Sequence, residues 1–281
     1  MSFFHAVVLG LIQGLTEFLP VSSTAHLTLA GLFFGLIDPS QPADWTAFLA
    51  IIQLGTAAAV VVYFAQDLGR IIASSIGIAG ALLRGKKPEL DLHGRMGLLI
   101  ALGTIPVVAA GLLLKDLIYS MFTKELSTIG TSLIVLAIVL WIAERYGRRV
   151  RGEAQTTWID ALIIGVAQAL ALIPGSSRSG TTITAGLFLG LTREAAARFS
   201  FLLSIPAVLA SGLYELYQAR EHLMDIGGSA VIIATLVSAL SGYAAIAFLL
   251  KYLRSHSTFV FVAYRILLGA GIWFLIATGF R

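Results

Sequence analysis

Two short polar stretches interrupt otherwise apolar sequence, and they contain residues whose types could do chemistry. The first runs from Glu17 to His26 and holds a carboxylate, three consecutive hydroxyls and an imidazole. The second, PGSSRSGTT at residues 174–182, surrounds one arginine with hydroxyls and glycines. An arginine fork, hydroxyls and the free N–H groups of a helix start are donors that suit the spread negative charge of a phosphate group. The two stretches therefore predict a site for a phosphate-bearing ligand.

The first stretch has the residues of a break between two helices. Pro20 ends the incoming helix, and either Ser22 or Ser23 can cap the outgoing one. The hydroxyls at residues 22–24, the last of them Thr24, lie within one helical turn of His26, whose imidazole can serve as general base, general acid or ligand. A hydroxyl–imidazole pair is feasible, and the spacing does not identify which hydroxyl faces the ring.

The second stretch has the same organisation around a cation. Pro174 and Gly175 form the turn, and a helix follows it. Arg178 supplies the planar fork that can hold two phosphate oxygens at once. Gly175 and the hydroxyls around the arginine are candidate phosphate ligands: Ser176, Ser177, Ser179 and Thr182.

The composition indicates that these stretches lie in a membrane protein. Of the 281 residues, 58% are hydrophobic and 12% are charged, whereas soluble domains carry roughly 25% charged residues. A water-soluble enzyme, a disordered chain and a nucleic-acid binder are therefore excluded. The absence of cysteine excludes disulfides and thiolate sites. The N-terminus lacks a basic region and a cleavage site, so we expect no cleaved secretory signal.

Six segments are long and apolar enough to cross a bilayer core of about 30 Å, which needs roughly 20 residues. They are 45–66, 96–114, 126–143, 199–218, 226–250 and 257–280. Residues 3–37 and 161–191 contain the polar breaks and leave apolar pieces too short to cross. We predict that each forms a re-entrant helical hairpin, and that residues 71–83 form a helix at the membrane interface.

The charges of the loops support this topology. With the two hairpins re-entrant, thirteen Lys and Arg residues lie in loops 67–95, 144–160, 192–198 and 251–256, and four lie on the opposite side. The positive-inside rule then places both termini outside.

At membrane depth a carboxylate is costly unless it is paired, protonated or metal-bound, so Glu17 is a functional candidate. Gln13, four residues earlier on the same face, can join its site. Alternatively, Glu17 and Arg178 form an ion pair that only locks the hairpins together.

The two broken segments also resemble each other. Residues 10–13 align with 165–168, sharing the first and last residue, and 30–36 match 185–191 at six of seven positions, both at an offset of 155. The PVSS and PGSS turns align one residue out of phase, with Ser23 opposite Ser177. We predict repeats over 1–143 and 154–281, each a re-entrant hairpin followed by three spans. The second copy is then inverted, and the breaks meet near the bilayer midplane.

The motifs as they stand resemble the undecaprenyl-diphosphate phosphatase family, the bacterial bacitracin-resistance type. The similarity rests on QGLTEFLPVSSTAHL at 13–27 and PGSSRSGTT at 174–182, with IQLG at 52–55 and FSFLL at 199–203. It implies hydrolysis of the terminal phosphate of a polyprenyl diphosphate, which regenerates the carrier for cell-wall synthesis. It also implies a plasma-membrane enzyme whose site opens outward.

The resemblance assigns roles to particular residues. The positions of the family's catalytic motifs are occupied by Glu17, Ser23, His26, Ser177 and Arg178, with Thr24 as a competing hydroxyl and water as another attacking group. A divalent cation, Mg²⁺ or Ca²⁺, is implied as cofactor. Some members have glutamate where this sequence has Gln13, which leaves Glu17 as the single motif carboxylate to hold the cation.

Three further expectations complete the sequence-based hypothesis. A transporter or flippase of an anionic polyprenyl phosphate lipid is the alternative function, because inverted repeats with broken helices are transporter architecture. The presence of Ser23, His26 and Glu17 favours the enzyme over the transporter, because transport needs neither nucleophile nor base. Glu215 and Arg265, in the fourth and sixth spans, are expected to form a structural ion pair. The partners are the lipid substrate and the bilayer, and a homodimer is compatible with the sequence.

Overall fold

The computed structural model describes residues 1–38, 42–114, 125–220 and 228–279, and these ranges are helical. Within them, eleven α-helices follow in the order α1 (Phe3–Phe18), α2 (Ser23–Phe33), α3 (Pro42–Tyr63), α4 (Ala65–Leu83), α5 (Leu92–Leu113), α6 (Leu126–Tyr146), α7 (Trp158–Ala169), α8 (Arg178–Phe188), α9 (Arg193–Ala219), α10 (Gly228–Leu253) and α11 (Phe259–Ala277). The described ranges contain one isolated β-bridge, between Arg151 and Leu191, and no named strand. The predicted all-α class is confirmed.

Six of these helices are long and apolar enough to cross a membrane, as predicted. They are Trp45–Tyr63, Leu92–Leu113, Leu126–Tyr146, Arg193–Gln218, Gly228–Leu253 and Phe259–Ala277. Their bounds differ from the predicted segments because helices continue into polar ends that an apolar window leaves out. α9, for example, begins at Arg193, where the Thr192 side chain caps it by accepting from the Ala195 N–H at 3.2 Å.

The apolar stretch predicted at residues 71–83 belongs to a longer helix, α4, which begins at Ala65. α4 packs against α5, and its buried side chains are Ile71 and Ile78. The other apolar residues of α4 are partly or fully exposed, as in a helix that lies along a surface. Its location at the membrane interface stays a prediction.

The two segments with polar breaks form pairs of short helices. α1 has 16 residues and α2 has 11, while α7 has 12 and α8 has 11. At 1.5 Å per residue these helices are about 16–24 Å long, which is less than the hydrocarbon thickness of about 30 Å. Each pair packs against itself, α1 on α2 and α7 on α8.

The first helix of each pair also packs on a long helix from the other half of the chain. α1 lies along α10, and α7 lies along α5. Glycines make both contacts close. A β-carbon on Gly10 would lie 2.5 Å from the Ala234 carbonyl oxygen, and one on Gly165 would lie 2.2 Å from that of Gly103. The halves are therefore interlocked at two positions that are 155 residues apart.

The four loops that the charge count assigns to one membrane side lie together at one end of the bundle, because ion pairs connect them. Arg198 contacts Asp67 at 2.8 Å and Glu153 at 2.7 Å. Arg254 contacts Glu194 at 2.9 Å. The loop before and at the start of α9 therefore contacts each of the other three loops, as expected if the four share one side, while the membrane side stays a prediction.

Candidate active site

Glu17 is the centre of a hydrogen-bond cluster that joins the two polar stretches. It lies in the last turn of α1, and its side chain is 5% exposed. Arg178, the first residue of α8, donates from Nη2 to Oε1 at 2.8 Å. Ser23, the first residue of α2, donates from Oγ to Oε2 at 2.7 Å, and Gln13 donates to the same oxygen at 3.1 Å. The predicted meeting of the breaks is confirmed, and the Glu17–Arg178 ion pair is formed.

Both breaks begin the following helix with the same unusual backbone. The helix N-caps are Ser22 and Ser177, whose φ values are +73° and +65°. Positive φ is strained for a residue with a side chain and concentrates at functional sites. Each cap hydroxyl accepts from the N–H three residues later, at 3.3 Å from Ala25 and 3.2 Å from Gly180.

These caps correct the predicted alignment of the two turns. The out-of-phase alignment, with Ser23 opposite Ser177, is wrong, because the residue that caps α2 is Ser22 and its counterpart in α8 is Ser177. The 155-residue offset therefore holds through the breaks as well as beside them. In this register Ser23 is the counterpart of Arg178, and both contact the Glu17 carboxylate.

His26 is held away from the hydroxyls of its own stretch. Its Nδ1 lies 2.7 Å from the Ser22 carbonyl oxygen, and its Nε2 lies 2.6 Å from the Tyr264 hydroxyl. A carbonyl oxygen can only accept, so Nδ1 carries the proton and Nε2 accepts from the phenol. The hydroxyl–imidazole pair judged feasible from the spacing is not formed. Ser23 donates to Glu17 instead, and the Thr24 hydroxyl makes no hydrogen bond with the described part of the chain.

Arg178 uses only part of its fork on Glu17. Its Nη1 is buried and has no hydrogen-bond partner among the described residues. The Thr182 hydroxyl donates to the Arg178 carbonyl at 2.7 Å and lies 2.6 Å from the Ser200 hydroxyl, so Thr182 supports the helix start. Ser179 Oγ donates to the Leu19 carbonyl at 3.1 Å and provides a second link between the breaks.

The second break packs tightly on α6. Gly175 has a φ of +84°, and a β-carbon there would lie 2.3 Å from Ser132 Oγ and 2.5 Å from the Ile129 carbonyl oxygen. Ser132 Oγ also donates to the Pro174 carbonyl. Glycine is therefore required at this turn for both conformation and space. The Ser176 hydroxyl beside it is buried and has no partner among the described residues.

Two adjacent residues of α11, which the sequence did not place in the site, each hold one break. Tyr264 bonds to His26, and Arg265 Nη2 donates to the Ser176 carbonyl at 2.9 Å. The expected Glu215–Arg265 pair is wrong, because this carbonyl is the hydrogen-bond partner of Arg265, while α9, which carries Glu215, packs mainly on α3 and α8. The sequence signal that could have identified Arg265 as a site residue is its position inside an apolar span.

The residues around Glu17 do not fit a cation held by the protein. Oε1 accepts from Arg178, and Oε2 accepts from Ser23 and Gln13, so donors face both oxygens. The described residues contain no group of three or more His, Cys, Asp or Glu side chains placed to hold a metal ion. The divalent cation stays a prediction from the resemblance.

Comparison with known proteins gives the family. A family model described as bacitracin resistance protein BacA matches residues 6–271. The chain belongs to this family. It is 50% identical over 279 residues to the undecaprenyl-diphosphatase of Syntrophobacter fumaroxidans, covering 98% of each chain. It is 51% identical over 288 residues to that of Chloroherpeton thalassium, covering 99% of this chain and 98% of the relative. Together with six apolar helices, membership makes this BacA-family chain a multi-pass membrane protein.

Proposed function

We propose that this chain removes the terminal phosphate of undecaprenyl diphosphate, in the cluster where its two breaks meet. The products are undecaprenyl phosphate and inorganic phosphate, which recycles the lipid carrier of cell-wall synthesis and accounts for bacitracin resistance. The observation that carries the proposal is the buried contact of Ser23 and Arg178 with the two oxygens of Glu17. A nucleophile, an acceptor for its proton and a phosphate-binding cation then lie in direct contact.

In the first step Ser23 Oγ attacks the terminal phosphorus. A bond from Oγ to phosphorus forms, the bond from phosphorus to the bridging oxygen breaks, and the serine proton passes to Glu17 Oε2. Undecaprenyl phosphate leaves with the bridging oxygen and needs no proton at neutral pH. Arg178 binds the oxygens of the transferring group, because phosphoryl transfer depends mainly on positioning and electrostatics.

In the second step water hydrolyses the phosphoserine. The water oxygen bonds to phosphorus, and the bond to Ser23 Oγ breaks as Glu17 returns its proton to that oxygen. The water proton passes to His26 Nε2 through the Tyr264 hydroxyl, which lies 2.6 Å from this nitrogen. The Ser22 carbonyl keeps the proton on Nδ1 and so leaves Nε2 free to accept.

We further propose that both helix pairs are re-entrant and that the two halves form an inverted repeat. Three observations support this topology: the helices are too short to span, both caps have the same backbone, and each first helix packs on the opposite half. With the positively charged loops inside, both termini and the opening of the site face outward. The prenyl tail then lies in lipid while the diphosphate enters between the breaks.

Phosphate release from undecaprenyl diphosphate by the purified protein tests the function. Ser23→Ala is expected to lower kcat by on the order of 10³-fold or more, as for other nucleophiles. The matched control is Ser211→Ala, because Ser211 is an exposed serine of α9 that bonds to its own helix. Substrate labelled on the terminal phosphate should label Ser23, with more label in His26→Ala.

Two results would contradict the proposal. If Ser23→Ala releases phosphate as fast as Ser211→Ala, Ser23 is not the attacking group. If the wild-type protein moves the lipid across liposome membranes and releases no phosphate, the chain is a transporter.

A further inference from the structure

Arg265 is buried, and no described residue supplies a counter-charge to it. It lies in the long apolar helix α11, and its exposure is 0%. Nη2 donates to the Ser176 carbonyl at 2.9 Å, while Nε and Nη1 have no hydrogen-bond partner among the described residues. Buried arginines are normally paired, because an isolated charge in an apolar interior is costly. This side chain therefore needs an anion that the described part of the chain does not supply.

Four other arginines near the described helix ends show the contrast, whereas the half-buried Arg95 bonds to the Thr156 carbonyl. Arg193 and Arg149 bond to Glu144, Arg151 bonds to Asp160, and Arg178 bonds to Glu17. For Arg265, no carboxylate of a described residue lies within ion-pair distance, and its known hydrogen-bond partner is a neutral carbonyl. A structural arginine would be expected to have the same kind of partner as these four.

The unpaired donors of Arg265 lie beside the start of α8. A β-carbon on Gly180 would lie 2.5 Å from Nη1, so the guanidinium packs on the first turn of that helix where a side chain would collide. The first turn also presents free N–H groups and the positive end of the helix dipole. Two further buried polar atoms there have no partner among the described residues: Ser176 Oγ and Arg178 Nη1.

We propose that Arg265 is a second anion-binding guanidinium, which binds the phosphate retained on the lipid while Arg178 binds the phosphate that is transferred. Arg178 contacts the Ser23–Glu17 pair and so lies on the terminal phosphate, whereas Arg265 contacts Ser176 on the other side of the turn. Two arginines and a helix start against one glutamate leave an excess of positive charge. That excess matches a diphosphate better than the monophosphate product, so Arg265 sets the preference between them.

This inference rests on the proposed function, because the anion is the diphosphate of that substrate. Inorganic pyrophosphate is a probe that does not depend on turnover. It is expected to raise the Tm of the purified wild-type protein more than inorganic phosphate does. Arg265→Gln should lose the pyrophosphate shift, and its Tm without ligand should be equal to or above that of the wild type, because an unpaired buried charge has been removed.

The kinetics of two variants separate anion binding from a positioning role. Glutamine keeps a neutral donor and removes the charge, whereas lysine keeps the charge. If Arg265 binds the diphosphate, Arg265→Gln raises KM by about 10- to 100-fold, the range for losing a hydrogen bond to a charged group, and Arg265→Lys keeps part of the binding. If it only holds the carbonyl, Arg265→Gln keeps the wild-type KM and pyrophosphate shift, and the inference is wrong.

Three further outcomes distinguish the inference from the proposed function. If the Arg265→Gln protein without ligand has a lower Tm than the wild type, Arg265 has a structural role and the inference is wrong. A wild-type protein that binds pyrophosphate through Arg265 but releases no phosphate from the lipid overturns the proposed function and leaves the anion site intact. If the wild-type protein releases phosphate from the lipid and neither Arg265→Gln nor Arg265→Lys changes KM, the inference is wrong and the proposed function stands.

Discussion

Arg178→Lys tests whether the geometry of the guanidinium, and not only its charge, supports catalysis. In the resting structure Nη2 lies 2.8 Å from Glu17 Oε1, while Nη1 is buried and has no partner in the part of the chain that the structure describes. In the empty site one nitrogen of the fork binds Glu17, and when the fork turns to the substrate its two nitrogens can bind two phosphate oxygens. A lysine ammonium is a single point of charge on a flexible stem and cannot reproduce two parallel contacts.

The size of the effect follows from these contacts. Loss of one preorganised donor to a transition-state anion costs about 3–4 kcal/mol, or on the order of 10²–10³ in kcat. Arg178→Ala removes the charge as well as the fork, and we expect a loss in that range or larger. Arg178→Lys keeps the charge and should recover part of the rate, remaining at least about tenfold below the wild type.

The assay is phosphate release from undecaprenyl diphosphate at saturating substrate, after each variant has been shown to fold by its Tm. Arg193→Lys is the matched control, because Arg193 also contacts a buried glutamate, Glu144, at the far, loop end of the bundle. That variant should keep kcat within a few fold of the wild type. Near-wild-type kcat in Arg178→Lys would refute the role of the fork, and an equal loss in both lysine variants would point to folding.

Two more predictions concern the support of the site. Tyr264→Phe removes the donor at 2.6 Å from His26 Nε2, so kcat should fall by about 3- to 10-fold. The amount of phosphoenzyme, measured by acid quench, should increase. An unchanged kcat and an unchanged amount of phosphoenzyme would contradict the relay. Gly165→Ala places a β-carbon 2.2 Å from the Gly103 carbonyl oxygen, so stability in detergent should fall by about 1–3 kcal/mol. Gly271→Ala, in open space, should not lower the Tm.

The sequence predicts the spans and the meeting of the breaks well, because both depend on local physics. Six apolar runs of sufficient length need no knowledge of packing, and the positive loops contact one another, as Arg198 does with Asp67 and Glu153. The Glu17–Arg178 pair could be anticipated because a buried carboxylate and a buried guanidinium in one membrane need each other.

The partners of individual side chains could not be predicted, because they depend on which helices pack together. His26 meets Tyr264, which lies 238 residues later in the chain. Arg265 meets a backbone carbonyl of the second break, which no pairing of charges would indicate. Hydroxyls at three consecutive positions all lie near His26 in sequence, and the one that bonds to Glu17 is Ser23, directly after the positive φ of Ser22.

The register of the breaks explains how two similar hairpins produce one asymmetric site. At the 155-residue offset, Glu17 is the counterpart of Leu172, and Ser23 is the counterpart of Arg178. The same first helical position therefore presents a hydroxyl in one hairpin and a guanidinium in the other. Both helix starts attract negative charge. In the resting state the Glu17 carboxylate contacts the first residue of both helices.

We infer that this shared carboxylate stands in for the substrate. A phosphate entering the site competes with Glu17 for Arg178, because each offers oxygens to the same fork. When Arg178 turns to the phosphate, Glu17 loses its cationic partner but keeps the hydroxyl of Ser23, 2.7 Å from Oε2. The carboxylate oxygen that faces Ser23 is then the acceptor for the serine proton. Substrate binding itself would then activate the nucleophile, and Ser23 would stay inert in the empty site.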